Sequence, residues 1–161
     1  MKGKAESKQE WMRAAIRLSF QAMRRDLGGP FGAVIVRRGK LIARGGNQVI
    51  SSKDPTAHAE IVAIRRACKR LHRFDLSDCE LFTSCEPCPM CLAAIYWSRI
   101  RNLYYANTRR DAAAIAFDDD FIYREVARPL AKRSLPMKQI LRKEAIVVFN
   151  EWRRKADKVR Y

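Results

Sequence analysis

Between residues 6 and 26, Trp11, Ala15, Leu18 and Ala22 recur at steps of four and three, with charged and polar residues between them. This is one apolar helical face, and Leu27-Gly28-Gly29-Pro30 ends the helix with a glycine stop followed by a proline. FGAVIV (31–36) and KLIAR (40–44) are short β-rich runs around Arg38-Gly39, which predicts a hairpin turning at the glycine. After the loop NQVISSKDPT, a helix over 57–72 places Ile61, Ile64 or Ala63, and Cys68 on its buried side, with Pro55 and Thr56 supplying its start. CELFTS (79–84) reads as a buried strand, PCPMCLAAIYW (87–97) as a helix opened by prolines, and NLYYAN (102–107) as another strand.

Beyond residue 108 the periodicity weakens. TRRDAAAIAF and DDDFIYREVAR look helical, LAKRSLPMKQI is broken by its proline, and NEWRRKADKVRY reads as a final charged helix. Strands joined through helices are parallel neighbours, so the order predicts an α/β chain: a mixed sheet, with an antiparallel hairpin joined to a parallel section and helices on both faces. No repeat, low-complexity tract or linker divides the 161 residues, and an apolar content of 48% suits one globular domain over 1–161. The opening MKGKAESKQE has no apolar run, and GAVIV and EAIVVF are far too short to span a bilayer, so the expectation is a cytoplasmic protein with no membrane partner.

Composition adds two facts. Cysteines stand at 68, 79, 85, 88 and 91, an odd number with three crowded into SCEPCPMC, which suits metal binding better than a disulfide framework. The formal charge of +16 is carried by dispersed pairs such as Arg24-Arg25, Arg37-Arg38, Arg65-Arg66, Arg109-Arg110 and Arg153-Arg154. A basic solvated surface and a polyanion-binding surface both produce that pattern.

The candidate chemistry begins in TAHAEIVAIRR, where His58 and Glu60 are two apart at a helix start, a spacing that does not put side chains on one face. Cys88 and Cys91 lie three apart at the opening of another helix, whose positive end favours thiolates. C-x-x-C is half of a zinc site, and His58 completes a three-ligand set that leaves a fourth position for water. Glu60 is then the base for that water, as in the H-x-E and P-C-x-x-C signature of zinc nucleobase deaminases, where the glutamate is not a ligand. The alternative is a closed structural site with Cys85 as fourth ligand and Glu60 idle at the surface. Cys68 and Cys79 sit in apolar periodic segments and read as small core residues, and His72, at a helix end, as a solvated or capping one.

Together GGPFGAVIV, DPTAHAEIVAIRRAC, LFTSCEPCPMCLAAIYW and FDDDFIYREV resemble the small bacterial guanine deaminases of the cytidine deaminase-like superfamily. HAE and PCPMC identify only the superfamily; GGPFGA, IYWSR and FDDDFIY are the selective matches. The resemblance implies a three-layer αβα fold with a five-stranded mixed sheet, one zinc ion with a bound water per subunit, and His58, Cys88 and Cys91 as its ligands. It implies Glu60 and Asp119 as proton carriers, with Asn47 hydrogen-bonded to the purine, Phe31 stacked on it, Ala59 in contact with it and Trp97 walling the pocket. It further implies a homodimer in which the segment of about 130–161 is swapped and Tyr161 caps the partner's site.

On the residues alone, Asp118 to Asp120 also read as a solvated acidic run or helix cap, Phe31 and Trp97 as core aromatics, Asn47 as a turn residue and Tyr161 as a free chain end. The expected reaction is hydrolysis of guanine to xanthine and ammonia. Guanosine deamination, adenosine deamination in tRNA or another polynucleotide, and a zinc-stapled nucleic-acid-binding module without chemistry are the competing functions.

Overall fold

Gly32–Arg37 (β1) presents apolar residues to both faces, and all but its last residue are buried, so it lies inside the sheet rather than at its edge. In the computed structural model, which describes residues 7–160, β1 pairs antiparallel with Lys40–Gly46 (β2) and with Glu80–Cys85 (β3). β3 pairs parallel with Asn102–Asn107 (β4), and the order is β2-β1-β3-β4. The β1–β2 turn falls at Arg38 (φ 50°) and Gly39 (φ 68°), and two successive left-handed residues give the twist that a tight hairpin requires.

The two-residue period of β1 divides the core. Val34, Val36 and Phe82 meet Trp11 of Lys8–Arg24 (α1) on one face. Ala33, Ile35 and Leu81 meet Ala59, Ala63 and Ala67 of Ala59–Leu71 (α3) on the other, which makes three layers, αβα. α1 opens with a capping box between Ser7 and Glu10 and buries Trp11, Ala15, Ser19 and Ala22; Leu18 of the expected face is only half-buried. The remaining elements are the single turn Val49–Ser52 (α2), then Pro89–Trp97 (α4), Arg109–Ala114 (α5), Asp119–Ala127 (α6), a 3₁₀ turn at Leu130–Lys132 and Arg142–Arg154 (α7).

Gly45 sets the height of α3 over the sheet. A Cβ there would stand 2.1 Å from the Ala59 carbonyl oxygen, so only glycine lets the first turn of α3 rest on the β2 backbone. α3 starts two residues later than the sequence suggests. Pro55 and Thr56 lie in a preceding turn, where the Asp54 carboxylate accepts from the Thr56 N–H (2.8 Å) and from its hydroxyl, and His58 is the N-cap. At the far end His72 is exposed and caps α3 in the left-handed conformation; Cys79 is buried and Cys68 half-buried, as expected of core cysteines.

Two expectations for the C-terminal third need correction. The sheet has four strands among the described residues, not five. The apolar run Ile146-Val147-Val148-Phe149, which could have supplied another, is wound into α7, with Glu144 in its first turn and Arg153 and Arg154 in its last, the placement a helix dipole favours. The final helix is therefore Arg142–Arg154 rather than 150–161.

Candidate active site

α3 and α4 begin against one another, and neither start is capped in the usual way. His58 is the N-cap of α3 and Cys88 that of α4, and neither side chain accepts a hydrogen bond from its own helix. Serine, threonine, aspartate or asparagine would be worth about 1 kcal/mol more at either position. The side chains turn instead toward each other: His58 Nδ1 lies 3.6 Å from Cys88 Sγ and 3.6 Å from Cys91 Sγ, and the three donors fall within 4.8 Å of one another.

These separations fit zinc. Ligands at about 2.1 Å (nitrogen) and 2.3 Å (sulfur) from a tetrahedral zinc ion stand about 3.6 Å apart. The electrostatics agree. Cys88 is pushed down to about 4, first by its hydrogen bond with Cys91 and then, against the opposing effect of burial, by His58. Cys91 is pushed up by the same bond and by burial, so of the two thiols Cys88 is the one that ionises more readily. His58 is raised, chiefly by its hydrogen bond with Cys88.

Cys85 does not join them. Its sulfur lies 3.5 Å from the Thr108 carbonyl oxygen, and burial together with the nearby Asp119 and Glu60 pushes its thiol up to about 12. The closed four-ligand alternative is thus absent among the described residues, and the three-donor set opens on a cavity of about 430 Å³, the lower range of small-molecule sites.

Phe31, Asn47, His58, Glu60, Cys88 and Asp119 all line this cavity. Glu60 is buried, with its Oε1 accepting from the Thr83 hydroxyl at 2.9 Å; burial raises its carboxyl above the usual range, against the hydrogen bonds from Thr83 and Cys91. Asn47 is buried just beyond β2; its Oδ1 accepts from the Val49 N–H (3.1 Å), and a Cβ on Gly28 would stand 2.0 Å from that oxygen. The three aspartates have separate positions. Asp118 caps α6 through the Phe121 N–H (3.1 Å), Asp120 pairs with Arg124, and Asp119 faces the cavity, its carboxyl raised by burial and by Cys88.

Two residues of the expected site lie elsewhere. Ala59 is fully buried in the α3–sheet core, so any contact with a ligand falls to its main chain. Trp97 ends α4, six residues from Cys91; it is 63% exposed and borders a different hollow with Phe149 and Trp152. Tyr161 lies outside the described residues.

The structure also adds residues that the sequence did not single out. Phe117, the first residue of FDDD, lines the cavity and packs edge-on against Phe31, with centroids 4.7 Å apart at 89°. Thr83 holds the carboxylate of Glu60, and Glu86 lines the cavity while accepting from the Arg109 N–H (3.0 Å). Adjacency to PCPMC was the available signal for Glu86; Thr83 offered none beyond its place in a strand.

Residues 5–107 match the family described as the cytidine and deoxycytidylate deaminase zinc-binding region. The chain is similar to a guanine deaminase of Bacillus subtilis, with 49% identity over 94% of this chain and 97% of that protein. The X-ray structure of a B. subtilis guanine deaminase superposes with a TM-score of 0.93 at 47% identity, covering 97% of this chain and 99% of the other. A tRNA-specific adenosine deaminase of Aquifex aeolicus is 47% identical over 48% of this chain and 51% of its own length.

Proposed function

The chain belongs to the cytidine and deoxycytidylate deaminase zinc-binding family, and from that premise we propose that it hydrolyses guanine to xanthine and ammonia. What carries the choice of guanine is that similarity to a guanine deaminase extends over 94% of the chain, well beyond the zinc-binding region that ends at residue 107, into the segment bearing Phe117 and Asp119. The cavity supports a neutral base. Asp26, Glu60, Glu86 and Asp119 line it with no lysine or arginine among the described residues, so a phosphate on the substrate would meet no counter-charge there.

His58, Cys88 and Cys91 hold the zinc, and the bound ion supplies the Lewis acidity that makes water a nucleophile near neutral pH. Glu60 takes a proton from water as its oxygen bonds to C2 of guanine and passes that proton to the adjacent ring nitrogen. The C2 amine needs a further proton to leave as ammonia, and Asp119, which lines the cavity from the start of α6, carries it there from the hydroxyl added at C2. Phe31 stacks on the purine plane with Phe117 packed edge-on against Phe31, and the Asn47 amide hydrogen-bonds the purine edge. A product assay with zinc-loaded protein across guanine, guanosine, adenine, cytosine, cytidine and tRNA tests this assignment: xanthine from guanine is expected, and turnover of another substrate without guanine turnover overturns it.

The working unit is a homodimer, an inference from burial. Beyond Ala112 no described residue is buried, and Val126, Leu130, Leu135, Ile140, Phe149 and Trp152 are exposed apolar residues on the segment that follows α5. So much uncovered apolar surface on α6, α7 and their connection suits a face that a second copy covers. All five cysteines are free and no described helix is long and apolar enough to cross a membrane, which suits a reducing cytoplasm. Residues 158–160 border Trp97 rather than the catalytic cavity, which supports a swapped segment of about 130–161 with Tyr161 serving the partner.

Deleting Tyr161 is expected to lower kcat/KM for guanine at least about 10-fold while zinc content and Tm stay unchanged. Mixing that variant with Glu60→Gln subunits is expected to restore turnover, because one site of the mixed dimer then has both groups. No recovery on mixing means that the tail acts on its own subunit.

A further inference from the structure

The charge of +16 is segregated along the chain. Residues 11–25 carry four arginines, residues 27–53 five cationic residues and residues 61–74 another five, and none of the three stretches contains an aspartate or glutamate. These stretches fold into α1, the β1–β2 hairpin and α3, which pack on one another around β2, an edge strand of the sheet. Among the described residues the catalytic cavity is lined by four carboxylates and no lysine or arginine, so the substrate site does not use this charge.

Two pairs of arginines flank the β2 edge, Arg66 and Arg70 from the α3 face and Arg17 and Arg44 on the α1 face. Arg66 and Arg70, one helical turn apart on α3, reach over the strand and donate through Nη1 to the carbonyls of Arg44 and Ile42, both at 2.9 Å. Arg44 itself is exposed, and it borders a hollow of about 200 Å³ with Arg17 of α1. None of the four is in an ion pair with a described residue, whereas Arg37, Arg65, Arg73, Arg124 and Arg128 are. Arg66 and Arg70 each spend one donor on a carbonyl that would otherwise be open to strand pairing, and their other N–H groups remain available.

We propose that the β2 edge, through Arg17, Arg44, Arg66 and Arg70, docks on the phosphate backbone of a duplex nucleic acid. A second copy of the chain is a poor occupant, because two such edges would oppose arginine to arginine. A lipid surface is also disfavoured: the exposed Phe20 and Met23 of α1 border a hollow on its other flank, with Cys85 and Asn107, leaving no apolar wedge beside these arginines. Among the described residues no aromatic borders the hollow at Arg17 and Arg44, which argues for contact with the backbone rather than stacking on unpaired bases.

The test is titration of the whole protein against a labelled duplex of about 20 base pairs, with salt raised from about 50 to about 200 mM. The combined substitutions Arg17→Gln, Arg44→Gln, Arg66→Gln and Arg70→Gln are expected to flatten the slope of log Kobs against log salt by about 3 to 4, at unchanged guanine turnover. The pair Arg17→Gln and Arg44→Gln, whose side chains make no described hydrogen bond, is expected to flatten it by about 2 even if the four-site variant fails to fold. Removing the same charge elsewhere, with Arg99→Gln, Arg101→Gln, Arg110→Gln and Lys138→Gln, should leave the slope in place. No duplex binding at low salt, an equal loss in that control, or binding to phosphatidylserine vesicles without duplex binding overturns the proposal.

Discussion

A Glu60→Gln protein is expected to bind a full complement of zinc and turn over guanine at least about 10³-fold more slowly, the upper part of the range for losing a positioned proton carrier. The substitution is nearly isosteric, and the amide oxygen can still accept from the Thr83 hydroxyl that lies 2.9 Å from Oε1, so fold and metal site are preserved. What is lost is the capacity to take a proton and give it back. Burial raises the Glu60 carboxyl above its ordinary value, and a base works only when deprotonated. In the wild type, kcat/KM should therefore fall as pH drops through a value above the usual carboxylate range. Xanthine formation measured across pH, with zinc determined on the same samples, checks both; residual activity within about 10-fold of wild type would remove Glu60 from its role.

The spacing that made His58 and Glu60 awkward in the sequence is explained by the boundary of α3. His58 is outside the helix as its N-cap, in extended conformation, whereas Glu60 is inside it, so the two-residue interval never has to span one helical face. The sequence pattern located the pair and C-x-x-C because ligand spacing is local. Thr83 was not visible, since a hydroxyl on a buried strand has no periodicity of its own and its partner lies 23 residues away. Phe117 was hidden for the same reason, its packing against Phe31 being purely tertiary.

The α1 face, the hairpin and the mixed sheet were legible from periods of 3.6 and 2. The C-terminal third was not. A run such as Ile146 to Phe149 serves a helix or a strand equally well, and on α7 no described residue is buried to break the tie. The five-stranded expectation failed at this end of the chain, where no described residue of α6 or α7 is buried.

The second large effect separates the cysteines. Cys91→Ala is expected to reduce zinc from one ion per chain to less than about a tenth and to abolish turnover, because zinc with two remaining protein ligands lacks the three that catalytic sites supply. Cys85→Ala, a change six residues away at a site equally out of solvent, is expected to keep both zinc and turnover within about 2-fold and to cost only about 1 kcal/mol of stability, the ordinary effect of trimming a buried side chain. The contrast follows from what each sulfur faces. Cys91 Sγ faces His58 Nδ1 at 3.6 Å within the three-donor set, so zinc compensates there for the loss of its proton, beside a Cys88 already pushed down to about 4. Cys85, pushed up to about 12 and directed at the Thr108 carbonyl, would have to break that contact and ionise beside Asp119 and Glu60. Metal content and guanine turnover of the two variants, prepared side by side, decide the matter: zinc lost from Cys85→Ala would mean a closed four-ligand site and no open position for water, and with it the hydrolytic role of Glu60 would fall.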